Sequence, residues 1–570
     1  MGIGLALAGL GTATPGLAQQ LAFPGAEGAG RFVSGGSGRA AGPTTVFEVT
    51  SLGDTNVPGT LRYALSQPAS AAPSRTVVFR VCGTIHLTAR LSIPANTTLA
   101  GQTAPGDGIC LADRQVQVAG NNVLVRFVRF VRFRLGDQYA QTQGMVNGSG
   151  DEDAFDGLDR KNIIVDHCTM SWSEDEAFTF YGAATDSMTL QWNLISEPLN
   201  YSYHFGTGDP DYERHGYGGI WGGRRSSFHH NLFAHCNSRT PRWNGTRYGA
   251  AIDSENCDFR NNVIYDWGSN NVYGGEGGNY NVVNNYYKWG PSTSSSARAR
   301  VVNPYKQTTA PVLPYAQVYL AGNYIDGYPA ITVANWKGAT MQGGTLADTT
   351  QAKALAPFNV APLKTQTAAA AYAAVLQSVG CVLPVRDAVD LRIIQEVQSR
   401  TGSIIDVQGG FPARTPYSTS QGAWPTLSCG PAPADSDHDG MPDAYETAHG
   451  LNPNNPADRQ TVAANGYTNL ENYLNGLVAV VTATRPTGAL AEPLRLFPNP
   501  AAGQLTVEHP RANAEARLAV YNLPGQRVAT AQPVAGGIAT PLSLGALARG
   551  SYLVVYTDAR VPLSARCTRE

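Results

Sequence analysis

From Val46 to Asn335 the chain alternates short apolar, β-prone runs with turns that carry Asn or His. The runs include Val123-Leu-Val-Arg-Phe, Asn162-Ile-Ile-Val-Asp-His-Cys, Met188-Thr-Leu-Gln-Trp-Asn, Ser227-Phe-His-His-Asn-Leu-Phe, Asp258-Phe-Arg-Asn-Asn-Val-Ile-Tyr and Tyr280-Asn-Val-Val-Asn-Asn-Tyr-Tyr. They recur at roughly 20 to 40 residues, the spacing expected when each unit is one coil of a solenoid. Between them there is little 3.6-residue periodicity, so βαβ units do not fit, whereas short strands turning through Asn and Gly do. The pattern predicts an all-β chain whose main body is a right-handed parallel β-helix. Its coils hide one another's edges and can stack Asn into ladders. A sandwich or propeller fits less well, because Asn-Gly and Asp-Gly pairs rarely separate two alternating runs and no blade-like motif recurs.

The solenoid body is expected over residues 21–400. An Ala-rich stretch at 367–378 and an amphipathic one at 391–400 read as helices near its end. From 401 to 434 the composition shifts to Gly, Pro and Ser, which predicts a linker. Two small modules follow, at 435–477 and 494–570. At the other end, residues 1–20 are apolar and rich in small side chains, like the core of a secretory signal, with Ala18 before a plausible cleavage point. They lack a basic n-region, which places the expected start of translation upstream. No other apolar run reaches the roughly 20 residues of a membrane span.

Charge narrows the partners. With 41 Lys and Arg against 43 Asp and Glu in 570 residues, the net charge is −2, so no global field holds nucleic acid or an anionic membrane, and a polyanionic ligand must be met locally. The eight Cys contain no CxxC pair, which argues against a zinc ribbon or thioredoxin chemistry. Export permits disulfides, with the pairing left open and buried free thiols an equal alternative for the group from Cys168 to Cys257.

Two acidic constellations carry candidate chemistry. In Asp435-Ser-Asp437-His-Asp439-Gly440-Met-Pro-Asp443-Ala-Tyr-Glu446, carboxylates stand at positions one, three, five, nine and twelve, with Gly at six for the sharp turn. That is the spacing of a calcium loop, in which Glu446 can ligate bidentately. Lying beyond a linker and without an acid/base partner, the site is expected to be structural. The second constellation is Ser149-Gly-Asp151-Glu-Asp153, followed by Ser173-Glu-Asp175-Glu176. On a strand Asp151 and Asp153 project to one face. With Asp175 and Glu176 one coil later, the four form a cluster whose mutual repulsion a bound Ca²⁺ would relieve. A solvated acidic face is the alternative. Further on, Arg239-Thr-Pro-Arg242-Trp243-Asn244 sets two guanidinium groups beside a Trp that offers a stacking face for a sugar.

Taken together, Ala22-Phe-Pro-Gly-Ala-Glu-Gly-Ala-Gly, Gly59-Thr-Leu-Arg-Tyr-Ala-Leu, Val165-Asp-His-Cys-Thr-Met-Ser-Trp-Ser and Phe228-His-His-Asn-Leu followed by Arg239-Thr-Pro-Arg resemble the pectate lyases of polysaccharide lyase family one. The resemblance covers roughly residues 22–335. It implies a secreted enzyme that uses Ca²⁺ to cleave homogalacturonan by β-elimination, leaving 4,5-unsaturated oligogalacturonides. Carried over by position, it implies Asp151, Asp153, Glu176 and Asp175 as calcium ligands and Arg239 as the base for the C5 proton. The chain departs from the family in two places. Tyr217 stands near the usual substrate-gripping Lys, and Asn244 aligns with a second substrate Arg, for which Arg242 can substitute. His204, Arg214, His215, Arg224 and Arg225 are the candidate replacement cations. Two other readings are a β-helical glycoside hydrolase, which needs paired carboxylates flanking the bond, and a glycan-binding surface solenoid without turnover.

The last module contains Leu496-Phe-Pro-Asn-Pro-Ala-Ala-Gly-Gln-Leu-Thr-Val, Ala519-Val-Tyr-Asn-Leu-Pro-Gly-Gln-Arg-Val and Leu544-Gly-Ala-Leu-Ala-Arg-Gly-Ser-Tyr-Leu-Val-Val-Tyr. The alternation predicts a small antiparallel β-sandwich. The three motifs resemble the sorting domain of the type IX secretion system, which implies that machinery as a partner and an extracellular or cell-surface destination. A carbohydrate-binding sandwich is the alternative. Residues 561–570 are expected to lack the closing strand of that domain, and the protein is expected to be a monomer.

Overall fold

The computed structural model describes residues 19–39, 42–132, 153–201, 214–413, 415–483, 494–522, 526–558 and 563–570. The proposed secretory segment therefore lies almost wholly outside the described residues. The body is a parallel β-helix built on three long sheets of ten, nine and eight strands, each running strand to strand in parallel register from one coil to the next. One coil shows the plan. Strand Lys161–Asp166 belongs to the first sheet, Thr169–Ser171 to the second and Phe178–Tyr181 to the third, after which Asp186–Gln191 returns to the first sheet beside Lys161–Asp166. A parallel neighbour cannot be reached by a hairpin, so the chain must travel around the coil before it pairs.

The turn from the first sheet to the second is tight. Phe127, His167, Trp192, His230, Asn261 and Asn284 each take a positive φ between 53° and 60°, a conformation that costs a side-chain-bearing residue about 1 kcal/mol or more. What offsets this cost comes one residue later. Asn193, Asn231, Asn262, Asn285, Asn323 and Asn335 stack into a buried ladder in which each side-chain carbonyl accepts from the amide of the Asn before it, at 2.9–3.1 Å. Five of those amides also donate to a strand carbonyl one coil earlier, as Asn262 does to Phe228 at 2.9 Å. The interior is otherwise apolar and includes Phe130 stacked on Phe155, centroids 4.0 Å apart.

The sheets are covered from outside. Residues 19–39 lie across the first, donating backbone N–H groups to Thr98, Asn122 and Thr189. Helices Ala368–Ser378 and Ala388–Ser399 lie over the second, where Val375, Val379, Ile393 and Val397 meet Trp172, Leu194, Leu232 and Tyr265. Residues 401–434, read from composition as a linker, are a fixed strap. Trp424 packs 6.2 Å from Trp172, the Ser428 N–H donates to Asp107, and Cys429 forms a disulfide with Cys82. Gly, Pro and Ser make the backbone irregular here, while three anchors hold it down. The other six cysteines are buried.

The C-terminal module is a pair of antiparallel sheets of three and four strands around Leu505, Val507, Leu518, Val520, Val554 and Cys567. The expectation that the chain end lacks a strand is corrected: Leu563–Arg569 pairs residue for residue with the stretch from Gly550 to Tyr556, with Cys567 turned into the core. No helix among the described residues is long and apolar enough to cross a membrane.

Candidate active site and acidic loop

The loop that leads from the second sheet into the third repeats in register through four coils. Asp153, Glu176, Tyr217 and Ser238 occupy one line, because Ala154 N–H donates to Glu176 O at 3.0 Å, Ala177 to Tyr217 at 2.9 Å and Gly218 to Ser238 at 3.0 Å. Residues far apart in sequence thus become neighbours about 4.8 Å apart along the stack.

Three carboxylates meet at the head of this line. Asp153, Asp175 and Glu176 each bring an oxygen within 4.8 Å of the others. The Glu176 N–H donates to Asp153 at 3.2 Å, which fixes the spacing of the two coils. Burial pushes the Asp153 carboxyl well above its usual range, and the nearby Asp175 and Asp156 charges push it further. A cluster of hard oxygen donors that resists its own ionisation is suited to a hard divalent cation. Asp156, one step along, is satisfied by Gln115 and Gln117. Asp151 lies outside the described residues, as does His204.

Arg239 closes the other end. It has a φ of +58° and leads into the third-sheet strand Arg242–Trp243. Its guanidinium pairs with Glu176 and lies over the Tyr217 ring, 4.1 Å from the centroid. His215 reaches in from the next coil, with Nε2 against Asp175 and its ring 3.9 Å from that of Tyr217. Acid cluster, guanidinium, imidazole and phenol therefore share one patch. Tyr217 was noticed in the sequence only as a departure, although the register makes it the centre of the patch.

Other expected contacts are not assembled there. Along Arg242–Trp243 alternate side chains point out and in, so Trp243 is fully buried, stacked on Tyr280 with centroids 4.1 Å apart, and offers no face to a sugar. Asn244 is also buried, its amide donating to the Gly245 carbonyl at 2.8 Å. Arg242 points outward between Tyr273 and Tyr305, but its guanidinium is committed to Glu276 at 2.9 Å. Arg214 is exposed, 3.9 Å from Asp406. Arg225 is taken up by Asp186 and Arg224 by the Ala183 carbonyl, at the turn into the first sheet.

The second acidic constellation forms a closed loop. Asp435, Asp437 and Asp439 converge, and Asp439 converges in turn with Glu446 and Asp458. Gly440, at φ +93°, makes the sharp turn. Burial pushes the carboxyls of Asp439 and Glu446 up to about 7, and the surrounding Asp charges add to it. Asp443 departs from the expectation. It opens helix Asp443–His449 and accepts from Ser436 N–H at 2.7 Å and Ser436 Oγ–H at 2.8 Å, turned away from the cluster. Asp458 takes its place from beyond the twelve-residue loop, where no spacing rule points to it.

The chain is 31% identical over 476 residues to the probable pectate lyase C of Aspergillus flavus, covering 80% of this chain and 94% of that protein. It is 31% identical over 490 residues to that of Aspergillus terreus, covering 84% and 99%. Residues 495–564 match the family model of the secretion system C-terminal sorting domain. Among solved structures, a Bacillus subtilis pectate lyase variant is 14% identical, with 65% of this chain and 99% of that one covered and a TM-score of 0.41. The cedar pollen major allergen jun a 1 is 15% identical, with 62% and 92% covered and a TM-score of 0.41.

Proposed function

The chain belongs to the pectate lyase family and carries a secretion sorting domain, and from that premise we propose that it is exported by the type IX machinery and cleaves α-1,4-linked polygalacturonate by calcium-assisted β-elimination. The observation that carries the reading is the convergence, on one line of coils, of Asp153, Asp175 and Glu176 with Arg239.

The three carboxylates are the residues that would hold the cation, joined by Asp151 on the family pattern. Their donor set is all oxygen, and the raised Asp153 carboxyl marks a site that gains stability from a positive charge. Bound there, calcium would draw electron density from the uronate carboxylate and acidify the C5 proton beside it. The chain's own groups do the rest. Arg239, whose guanidinium is held by Tyr217 and Glu176, would take that proton from a substrate lying along the third sheet. Tyr217 and His215 replace the missing Lys with a ring face and an imidazole, suited to packing on a sugar and bonding to its oxygens.

The test follows the unsaturated product by ultraviolet absorbance during incubation with polygalacturonate, with calcium or excess chelator, on the wild type and on Arg239→Ala. Signal that needs both calcium and Arg239 supports elimination at this site. Reducing ends without that absorbance would instead mean hydrolysis, and binding without either product would mean a glycan-binding solenoid.

A further inference from the structure

The loop at 435–446 is an electrostatic liability as it stands. Glu446 is fully buried, and neither of its carboxylate oxygens has a hydrogen-bond partner. Asp439 is fully buried too, with one oxygen bonded to the Met441 N–H and the other unpartnered, and Asp458 likewise holds one buried oxygen without a partner. A buried, unpaired carboxylate costs several kcal/mol. Arg80 reaches the edge of the group but contacts only Asp435, at 3.7 Å.

The same loop is where the module lands on the β-helix. Arg80, just past strand Ser74–Phe79, pairs with Glu48 of strand Thr44–Val49 at 3.1 Å, and it also donates to the Pro433 carbonyl. His438 meets the other Glu48 oxygen at 2.6 Å. Met441 is fully buried against Val78, Ala100 and Leu470. At Gly440 a Cβ would lie 3.1 Å from Val46, so the backbone itself rests on the first sheet.

We propose that a calcium ion binds among Asp435, Asp437, Asp439, Glu446 and Asp458, with Asp458 rather than Asp443 as a ligand, and that this ion fastens the module onto the first sheet of the β-helix. Asp443 closes the loop by tying its first turn to the helix through Ser436. The ion holds His438, Gly440 and Met441 in the arrangement that meets Glu48, Val46 and Val78. Without it the carboxylates repel, the turn opens and the contact with the strand loosens. None of this depends on the reaction at Arg239.

Calcium titration calorimetry on the full chain tests it, in an Asp153→Asn, Glu176→Gln background that removes two of the three carboxylates converging near Arg239. One calcium per chain is expected. Asp458→Asn and Glu446→Gln should each weaken its affinity about tenfold or more, while Asp443→Asn should leave it within about threefold. Hydrogen exchange reads the fastening: chelator should speed exchange in Thr44–Val49 and in residues 435–458, and calcium should restore it. No binding in that background, or equal losses from Asp443→Asn and Asp458→Asn, overturns the site. Exchange in Thr44–Val49 that ignores chelator overturns the fastening.

Discussion

Arg239 and Glu176 form an ion pair across the stacked coils, with the Tyr217 ring lying between their turns and against the guanidinium. The carboxylate that orients the proposed base is thus one of the three that converge as a cation site. Orientation of the base and affinity for the metal are coupled through one side chain.

Replacing either partner should therefore have different signatures. Arg239→Lys keeps a cation near Glu176 but alters the base, and it is expected to lower kcat about a hundred- to ten-thousand-fold with little change in the calcium requirement. Glu176→Gln is expected to raise the calcium concentration needed for half-maximal rate as well as to lower that rate. Product absorbance measured across a calcium series distinguishes the two.

The helix Ala388–Ser399 is fastened to the second sheet by a buried charge network, and its strength should depend on pH. His235 lies between Asp266 and Glu396, and Arg392 between Glu197 and Glu396. Burial opposes the charge on His235, but its hydrogen bonds to Asp266 and Glu396 win and raise it from 6.5 to about 9. Burial likewise opposes the charge on Glu396, while Arg392 and His235 hold it down at about 2. A raised His contributes fully below its unfolded value and loses that contribution as pH rises through about 9. A depressed Glu contributes above its unfolded value of 4.5 and loses that contribution as pH falls toward about 2. The Tm should be highest between these limits and fall on both sides, and His235→Gln should flatten the alkaline limb of a Tm-against-pH curve.

Asn262 stands in the middle of the ladder, between Asn231 and Asn285. Asn262→Ala strands a buried acceptor on the Phe228 carbonyl and two ladder groups. A loss of about 2 kcal/mol or more is expected, read from the midpoint of urea unfolding.

Trp243 tests the corrected view of the site. As a buried ring stacked on Tyr280, it should cost about 3 kcal/mol or more when replaced by Ala. The KM of the protein that remains folded should stay close to that of the wild type. A large rise in KM at unchanged stability would return Trp243 to the role of a sugar platform.

The β-helix was legible because every coil must satisfy the same turn. A positive-φ residue followed by a ladder position leaves Asn-Asn or His-Asn pairs at three of the returns, His230-Asn231, Asn261-Asn262 and Asn284-Asn285. The site was legible as far as stacking brings residues together, so Asp153, Asp175, Glu176, His215 and Arg239 meet. Side-chain direction was less visible. The strand Arg242–Trp243 is too short to show alternation in sequence, so its inward Trp read as an exposed ring. Spacing placed Asp443 in the loop without showing that Ser436 would claim it. Composition, finally, cannot tell a free linker from a strap, since Gly, Pro and Ser suit both and the difference lies in anchors such as Trp424 and Cys429.

The bond between Cys82 and Cys429 joins positions 347 residues apart. Asp153, Asp175, Glu176, Arg239 and the two outer helices all lie within that span. A single proteolytic cut anywhere inside it leaves both fragments tethered as one particle, which runs as one band on a non-reducing gel and as two once reduced. For a secreted enzyme working among the proteases of its surroundings, the strap serves as insurance against nicking: a broken chain stays a whole molecule.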